Sequence, residues 1–282
     1  MIEVQGDLMS EGNNVEIICI GNELLIGKTV NTNAHWLAKR ITVLGMKVRR
    51  ITVVGDDLDE IASAVREAIR RRPRFIITTG GLGPTFDDKT LEGVALGLNL
   101  RLEENEEALR MIKEKYERYY SEGRIDSYEM TPHRVKMGRL PKGAKPLPNP
   151  VGTAPGVFLE YEKIKMIMLP GVPEEMKGIF DDSVAPMIRE ASGNLTFYEA
   201  SLDVRNLPES ELAPMLDVVM HDNPYVYIKS HPKRSEGTSH LELHFSTTSD
   251  DPKIARQRIE RAILQLSEMI KRKGGTITPV KD

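Results

Sequence analysis

Three short strand-like runs, each closed by a glycine and each followed by a helical pattern, constrain this chain more than any other feature. Val15 to Ile20 (V-E-I-I-C-I) ends at Gly21, Lys47 to Val54 ends at Gly55, and Phe75 to Thr79 (F-I-I-T-T) ends at Gly80. The runs are rich in β-branched residues and short, so they are predicted as strands, the first and third of them buried. Between them the period changes. Ala34, Leu37, Ala38, Ile41 and Leu44 form one apolar helical face ended by Gly45, and Ile61, Val65, Ala68 and Ile69 form another. Strands alternating with helices of this length predict a parallel sheet covered on both faces, an α/β three-layer sandwich. The loops at Gly21, Gly55 and Gly80 then open on one edge of the sheet, where such folds bind ligands.

The third loop carries the most chemistry. Phe75 to Leu91 reads F-I-I-T-T-G-G-L-G-P-T-F-D-D-K-T-L. Gly80, Gly81 and Gly83 let backbone N–H groups approach a ligand closely. The start of the following helix adds unpaired donors and a positive dipole end, so a phosphate fits there. Asp87 and Asp88 would repel that phosphate unless a cation lay between, which implies Mg²⁺ or a similar hard divalent metal. A plainer reading stands beside it: such a junction needs glycines for geometry alone, and Asp is a favoured helix cap. Glu23 lies just past the first strand, and either Asn31 or Asn33 suits the cap of the next helix. Gly55-Asp56-Asp57 turns the chain after the second strand.

Further on, 104–122 reads as a long polar helix that covers the core or meets another subunit. Residues 130–136 add a short helical turn. The proline-dense stretch from Pro141 to Pro155, with N-P-V-G-T-A-P-G from Asn149 to Gly156, is expected to be a rigid loop. Val157–Tyr161 and Lys165–Leu169 predict a hairpin around Glu162 and Lys163. L-P-G-V-P-E-E-M then repeats the strand–glycine–helix pattern, with Pro173 suited to a first helical position and Glu174 and Glu175 to the first turn. A helix near 183–191 closes this domain (15–192), and Ser192-Gly193-Asn194 reads as a hinge.

From residue 195 to about 276 the pattern changes to β-α-β-β-α, a small α+β domain with an antiparallel portion. In its strand 239–246, His240, Glu242 and His244 share one face. A metal held there, with His231 as a fourth ligand, is the sharper reading, and a solvated sheet face is the preferred one.

Composition excludes several classes. Of 282 residues 40% are hydrophobic and 29% charged, ample for a packed core and a charged surface; the net charge of −3 gives no global field for nucleic acid. The basic run Arg70, Arg71, Arg72 and Arg74 ends a helix, where cations complement the dipole and stay solvated. Cys19 is the only cysteine, so no disulfide forms within the chain. No apolar run reaches membrane-spanning length, and Met1–Asn14 lacks a signal-peptide pattern and reads as a flexible tail. A cytoplasmic location is expected.

Four motifs occur together and in order: G-N-E-L-L-I-G-K-T-V-N-T-N, T-G-G-L-G-P-T-F-D-D-K-T, N-P-V-G-T-A-P-G and L-P-G-V-P-E-E-M. Over about 15–191 the chain resembles the N-terminal domain of the competence/damage-inducible CinA family, within the MoaB/Mog molybdopterin-binding superfamily. The segment after it is similar to the KH-like domain of CinA proteins. The resemblance implies a mostly parallel sheet and a nucleotide or pterin ligand whose phosphates lie on Gly80, Gly81, Gly83 and Thr85. It implies metal (Mg²⁺, Mn²⁺ or Co²⁺) at Asp87 and Asp88, which would also be the catalytic pair. Glu23, Asn31, Asn33 and Asp56 would line the pocket, and Asn149, Thr153, Pro170 and Gly171 would complete it. Two activities are consistent with it: metal-dependent cleavage of the ADP-ribose pyrophosphate, or binding of a molybdopterin or nucleotide without turnover. A homo-oligomer is expected. Nicotinamide-nucleotide deamidation is not, because the serine-bearing, Gly-rich segment of the family's amidase domain is missing. The second domain lacks a G-x-x-G loop, so RNA binding is not expected either.

Overall fold

A computed structural model describes residues 13–233 and 240–280, so most of the expected N-terminal tail and Ser239 lie outside the described residues. Two compact units emerge: the larger takes in the described residues up to Ala191 apart from 43–45, and the smaller runs from Ser192.

The larger unit is built on a six-stranded sheet. Strands β1 (Asn14–Ile20), β2 (Lys47–Val54) and β3 (Phe75–Thr79) begin where the strand-like runs begin, within a residue. Strands β4 (Leu102–Glu104) and β5 (Arg139–Pro141) form a separate antiparallel ribbon that the sequence pattern did not reveal. Strands β6 (Lys145–Leu147), β7 (Gly156–Tyr161) and β8 (Ile164–Leu169) complete the sheet in the order β2-β1-β3-β8-β7-β6. The four strands β2, β1, β3 and β8 run parallel, while β7 is antiparallel to β8 and β6 to β7. The β7–β8 hairpin turns on Glu162 and Lys163, both with positive φ (48° and 71°), the conformation that a two-residue turn between twisted strands requires.

The proline-dense stretch corrects one expectation. It is not loop throughout, because Lys145–Leu147 pairs with β7. Pro146 is tolerated since β6 is the edge strand, where a missing N–H removes no ladder bond.

Side-chain alternation divides the sheet between two layers. Ile18, Ile20, Ile76, Met166 and Met168 belong to one buried cluster with Ile61 and Val65 of α3 (Leu58–Arg70), Val94 and Leu98 of α4 (Thr90–Leu98), and Ala108 and Ile112 of α5 (Glu106–Ser121). Ile17, Cys19, Phe75, Ile77 and Ile167 alternate with these and are equally buried, so they face the other way. Helix α1 (Asn22–Leu25) is a single turn after β1, and α2 (Thr32–Val43) follows it. Helix α2 meets the chain after β8, where Trp36 packs edge-on against Phe180 at 5.3 Å and Arg40 pairs with Asp181 at 2.9 Å. A short helix, α6 (Pro132–Lys136), precedes β5.

After β8 the helix is longer than the sequence suggested. Helix α7 (Pro173–Ile179), a π-helical turn at 180–184 and α8 (Ala185–Ser192) form one continuous run. Pro186 explains the widened turn, because its ring would otherwise clash with the carbonyl one turn back.

In the smaller unit β9 (Thr196–Arg205), β10 (Tyr227–Pro232), β11 (His240–Ser249) and β12 (Thr276–Pro279) make an antiparallel sheet in the order β10-β11-β9-β12. Strand β12 adds to the expected pattern. Helices α9 (Glu209–Asp222) and α10 (Pro252–Arg272) bury Leu212, Val219, Ala262 and Leu266 against Leu241, Leu243 and Phe245. The opposite sheet face is polar and internally bonded. Lys233 Nζ lies 3.2 Å from Asp203 and 2.8 Å from Glu242, and His240 Nε2 lies 3.0 Å from Asp203. Among the described residues no group of three or more His, Cys, Asp or Glu is set to hold a metal.

Candidate functional site

The parallel order of β2, β1, β3 and β8 brings their carboxyl ends to one edge. Because β7 runs the other way, its start at Gly156, and with it the 148–155 loop, lies at that same edge. All four motifs therefore converge there, drawn from positions up to about 150 residues apart.

The centre is the turn after β3. Gly80 has φ +110° and Gly81 +62°. A Cβ at Gly80 would come 2.1 Å from the carbonyl oxygen of Ile20, so neither a side chain nor the usual backbone conformation is possible. Gly80 N–H donates to Leu169 O, and the Thr90 hydroxyl donates to Gly80 O at 2.7 Å, which ties the turn to β8 and to α4. The next three N–H groups, of Gly81, Leu82 and Gly83, have no hydrogen-bond partner among the described residues. Successive free N–H groups in a left-handed turn make a concave anion-binding nest.

Beyond Pro84 the loop closes on itself. Thr85 N–H donates to Asp88 Oδ2 at 2.8 Å, and the Thr85 hydroxyl bonds Asp87 and Asp88. Asp88 folds back over Gly83, where a Cβ would lie 2.7 Å from its Oδ2. Neither aspartate caps the helix, since α4 begins at Thr90 after Lys89. The Thr85 hydroxyl bond is the main influence holding the Asp87 carboxyl below the ordinary carboxylate range, with the Lys136 and Lys89 ammonium groups adding to it. Lys136 Nζ donates to Thr85 O, and a His133 ring nitrogen lies 3.2 Å from Pro84 O, so α6 braces the loop.

Gly81, Gly83 and Asp88 line a cleft of about 360 Å³. Its other walls come from α4 (Leu91, Glu92), the β4–β5 ribbon (Leu102, Glu104, Arg139) and Lys136 and Met137. Sequence reasoning missed these residues. The ribbon gives no periodic signal, and only its contact with α4 brings it beside the glycine turn.

The other candidate residues lie around the same edge but not in that cleft. Asn33 Nδ2 donates to Thr79 Oγ1 (3.1 Å) and to Gly171 O (2.8 Å), and Thr79 Oγ1 donates to Pro170 O, so Asn33, Pro170 and Gly171 form one knot beside Gly80. The Asn33 Oδ1 atom is buried with no partner among the described residues. Asn31 caps α2 through Ala34 N–H. Asp56 accepts from Asn22 N–H at 2.8 Å and ties the β1 and β2 loops together, while the Glu23 carboxylate lies against Gly21. Burial pushes the Cys19 thiol up, against the opposing Asn31 bond, so it stays protonated at neutral pH.

Asn149 and Thr153 line a second, smaller cleft of about 150 Å³ with Lys115 and Arg118 of α5. The polar helix α5 thus does more than cover the core. Asn149 is buried and fully engaged: Nδ2 donates to Ala154 O and Glu175 Oε2, and Oδ1 accepts from Val151 and Gly152 N–H. The basic run also needs a correction. Arg71 keeps about a third of its side chain exposed but also forms a two-pronged pair with buried Glu16, both bonds 2.7 Å.

Fold and edge together define an open α/β domain of the ligand-binding class, with three free backbone N–H groups on its central loop. The chain belongs to the family of the probable molybdopterin binding domain, whose model matches residues 16–190. It is 46% identical over 260 residues to a protein of Pyrobaculum arsenaticum, covering 92% of this chain and 95% of that relative. A protein of Sulfurisphaera tokodaii is 43% identical over 263 residues, covering 93% and 97%. Among solved structures, the CinA protein of Thermoplasma acidophilum, described as of unknown function, matches at TM-score 0.57 and 44% identity, covering 64% of this chain and 99% of that one. No described helix is long and apolar enough to cross a membrane.

Proposed function

We propose that this protein binds a phosphate-bearing nucleotide or pterin at the Gly81–Gly83 turn and hydrolyses a pyrophosphate there with a divalent metal, ADP-ribose or a related dinucleotide being the substrate. The observation that carries the reading is the pairing of opposites: three consecutive free N–H groups beside two carboxylates on one short loop. An anion fits the first and repels the second, and a cation reconciles them. The donor set suits a hard metal, since Asp87 and Asp88 offer oxygen only. Two carboxylates make no cage by themselves. The cation would therefore share its shell with ligand phosphates and water, as Mg²⁺ does in phosphoryl-transfer sites.

When bound, the metal would polarise the phosphoryl oxygens and lower the pKa of water. The chain's own residues hold the remaining parts. The Gly81, Leu82 and Gly83 N–H groups orient a phosphate, and Thr85 holds Asp87 ionised and positions both carboxylates. Attack of water at one phosphorus breaks the P–O–P bridge and gives AMP and ribose 5-phosphate.

The test is AMP release from ADP-ribose with Mg²⁺, Mn²⁺ or Co²⁺, compared with an Asp87→Ala, Asp88→Ala double variant. Equal rates would end the hydrolase reading. A binding role without turnover has one observation in its favour: both aspartates already accept from Thr85. Ligand-induced thermal stabilisation with no product would select it. A homo-oligomer is proposed alongside, to be checked by solution mass.

A further inference from the structure

We propose that the cleft between the glycine turn, α4 and the β4–β5 ribbon seats the planar ring of the ligand, and that Glu92 accepts a hydrogen bond from an amino group on that ring. The inference rests on the turn being the phosphate site. The cleft's volume of about 360 Å³ lies in the range of small-molecule sites. One end is polar backbone at Gly81–Gly83. Elsewhere its wall mixes the charged side chains of Asp88, Glu104, Lys136 and Arg139 with an apolar floor: Leu82, Leu91 and Met137 are buried beneath it, and Leu102 is half-buried. Neither phosphate nor a hydrated cation gains from the apolar floor, whereas a flat heterocycle joined to the phosphate does.

The polar groups of the cleft sort themselves. Arg139 and Glu104 pair at 3.1 Å, and Lys136 is engaged with the Thr85 carbonyl. Glu92 differs, since it is half-buried, lines the cleft and makes no hydrogen bond or ion pair among the described residues. An ionised carboxylate only accepts, so the missing partner is a donor. Adenine and pterin rings both carry an exocyclic amino group that meets this need, and a second phosphate does not.

Calorimetry on the full chain in Mg²⁺ separates the ring from the phosphate. Inorganic pyrophosphate, ribose 5-phosphate, AMP and neopterin monophosphate are the probes. The wild type is expected to bind AMP or the pterin phosphate at least about tenfold more tightly than ribose 5-phosphate, and the tighter of the two names the ring class. Glu92→Trp and Leu102→Trp, which fill the cleft from opposite walls, should cancel that preference. Thermal melts compared with the wild type show that both fold. Glu92→Gln should weaken AMP binding but leave inosine monophosphate, which lacks the amino group, unchanged.

Equal binding of ring-bearing and ring-free phosphates by the wild type overturns the ring seat and leaves the phosphate reading intact. So does undiminished AMP binding by both tryptophan variants. Absence of pyrophosphate binding in the wild type overturns both.

Discussion

Asn149 was a candidate ligand residue from its motif, and its surroundings predict a different consequence of removing it. In Asn149→Ala four hydrogen bonds disappear: two from Nδ2, to Ala154 O and Glu175 Oε2, and two to Oδ1 from Val151 and Gly152 N–H. Buried hydrogen bonds contribute about 1 kcal/mol each, and those to a charged group somewhat more. Water can reach part of this loop, as the half-exposed Val151 shows, which recovers some of the loss. The net cost is about 3 kcal/mol. For a unit of this size each kcal/mol lowers Tm by roughly 2–4 °C, so the larger unit should melt about 6–12 °C earlier. Asn149→Asp should be worse at neutral pH. It keeps the acceptor for Val151 and Gly152 but sets a second carboxylate 2.7 Å from Glu175, so stability should partly return on acidification. Differential scanning calorimetry reads both. If Asn149→Ala melts within about 2 °C of the wild type yet binds nucleotide or pterin poorly, the side chain serves the ligand and the structural argument is wrong.

Four further outcomes are expected. Gly80→Ala should unfold the larger unit or make it insoluble, because the added Cβ meets the Ile20 carbonyl, whereas Gly27→Ala (φ +70°, nothing within 4 Å) should cost only about 1 kcal/mol of backbone strain by denaturant titration. Arg71→Met should destabilise by about 2–3 kcal/mol through the orphaned, buried Glu16 carboxylate, and an effect under about 0.5 kcal/mol would show that this pair is as weak as a surface one. Thr85→Val should raise the Asp87 pKa towards its ordinary value in a carbon-detected NMR titration. The sign follows from the direction: a carboxyl held low in the folded state favours folding above its unfolded pKa and loses that contribution as pH falls through the lowered value, so the variant's deficit should vanish in acid. Lys233→Met should raise the Glu242 pKa, since the Lys233 ammonium bond is the main influence holding it down; an unmoved titration would mean that bond does not form in solution.

Much of the architecture was legible because its causes are local. A run such as Phe75–Thr79 can be buried on both sides only as a central parallel strand, and the Asp57 cap and Leu58–Arg70 periodicity fix α3 without help from elsewhere. Where the pattern misled, a tertiary contact had overridden it. Pro146 entered a strand because an edge was open, Arg71 turned its guanidinium onto a buried carboxylate, and the helix after β8 continued through a widened turn ahead of Pro186. The β4–β5 ribbon and β12 are too short to announce themselves by period.

By itself the sequence determined the strand and helix order, the parallel sheet, and hence the edge on which four glycine-bearing loops meet. Period, caps and turn chemistry act over a few residues and are written in the chain. Only the tertiary structure decided how those loops divide: Gly81, Gly83 and Asp88 in one cleft, Asn33 with Pro170 and Gly171 in a bonded knot, Asn149 holding its own loop. It also supplied Glu92, Leu102 and Arg139, which no motif contains. Which side chains share a cavity depends on packing between elements tens of residues apart, and that is set by the fit of whole surfaces rather than by any local spacing.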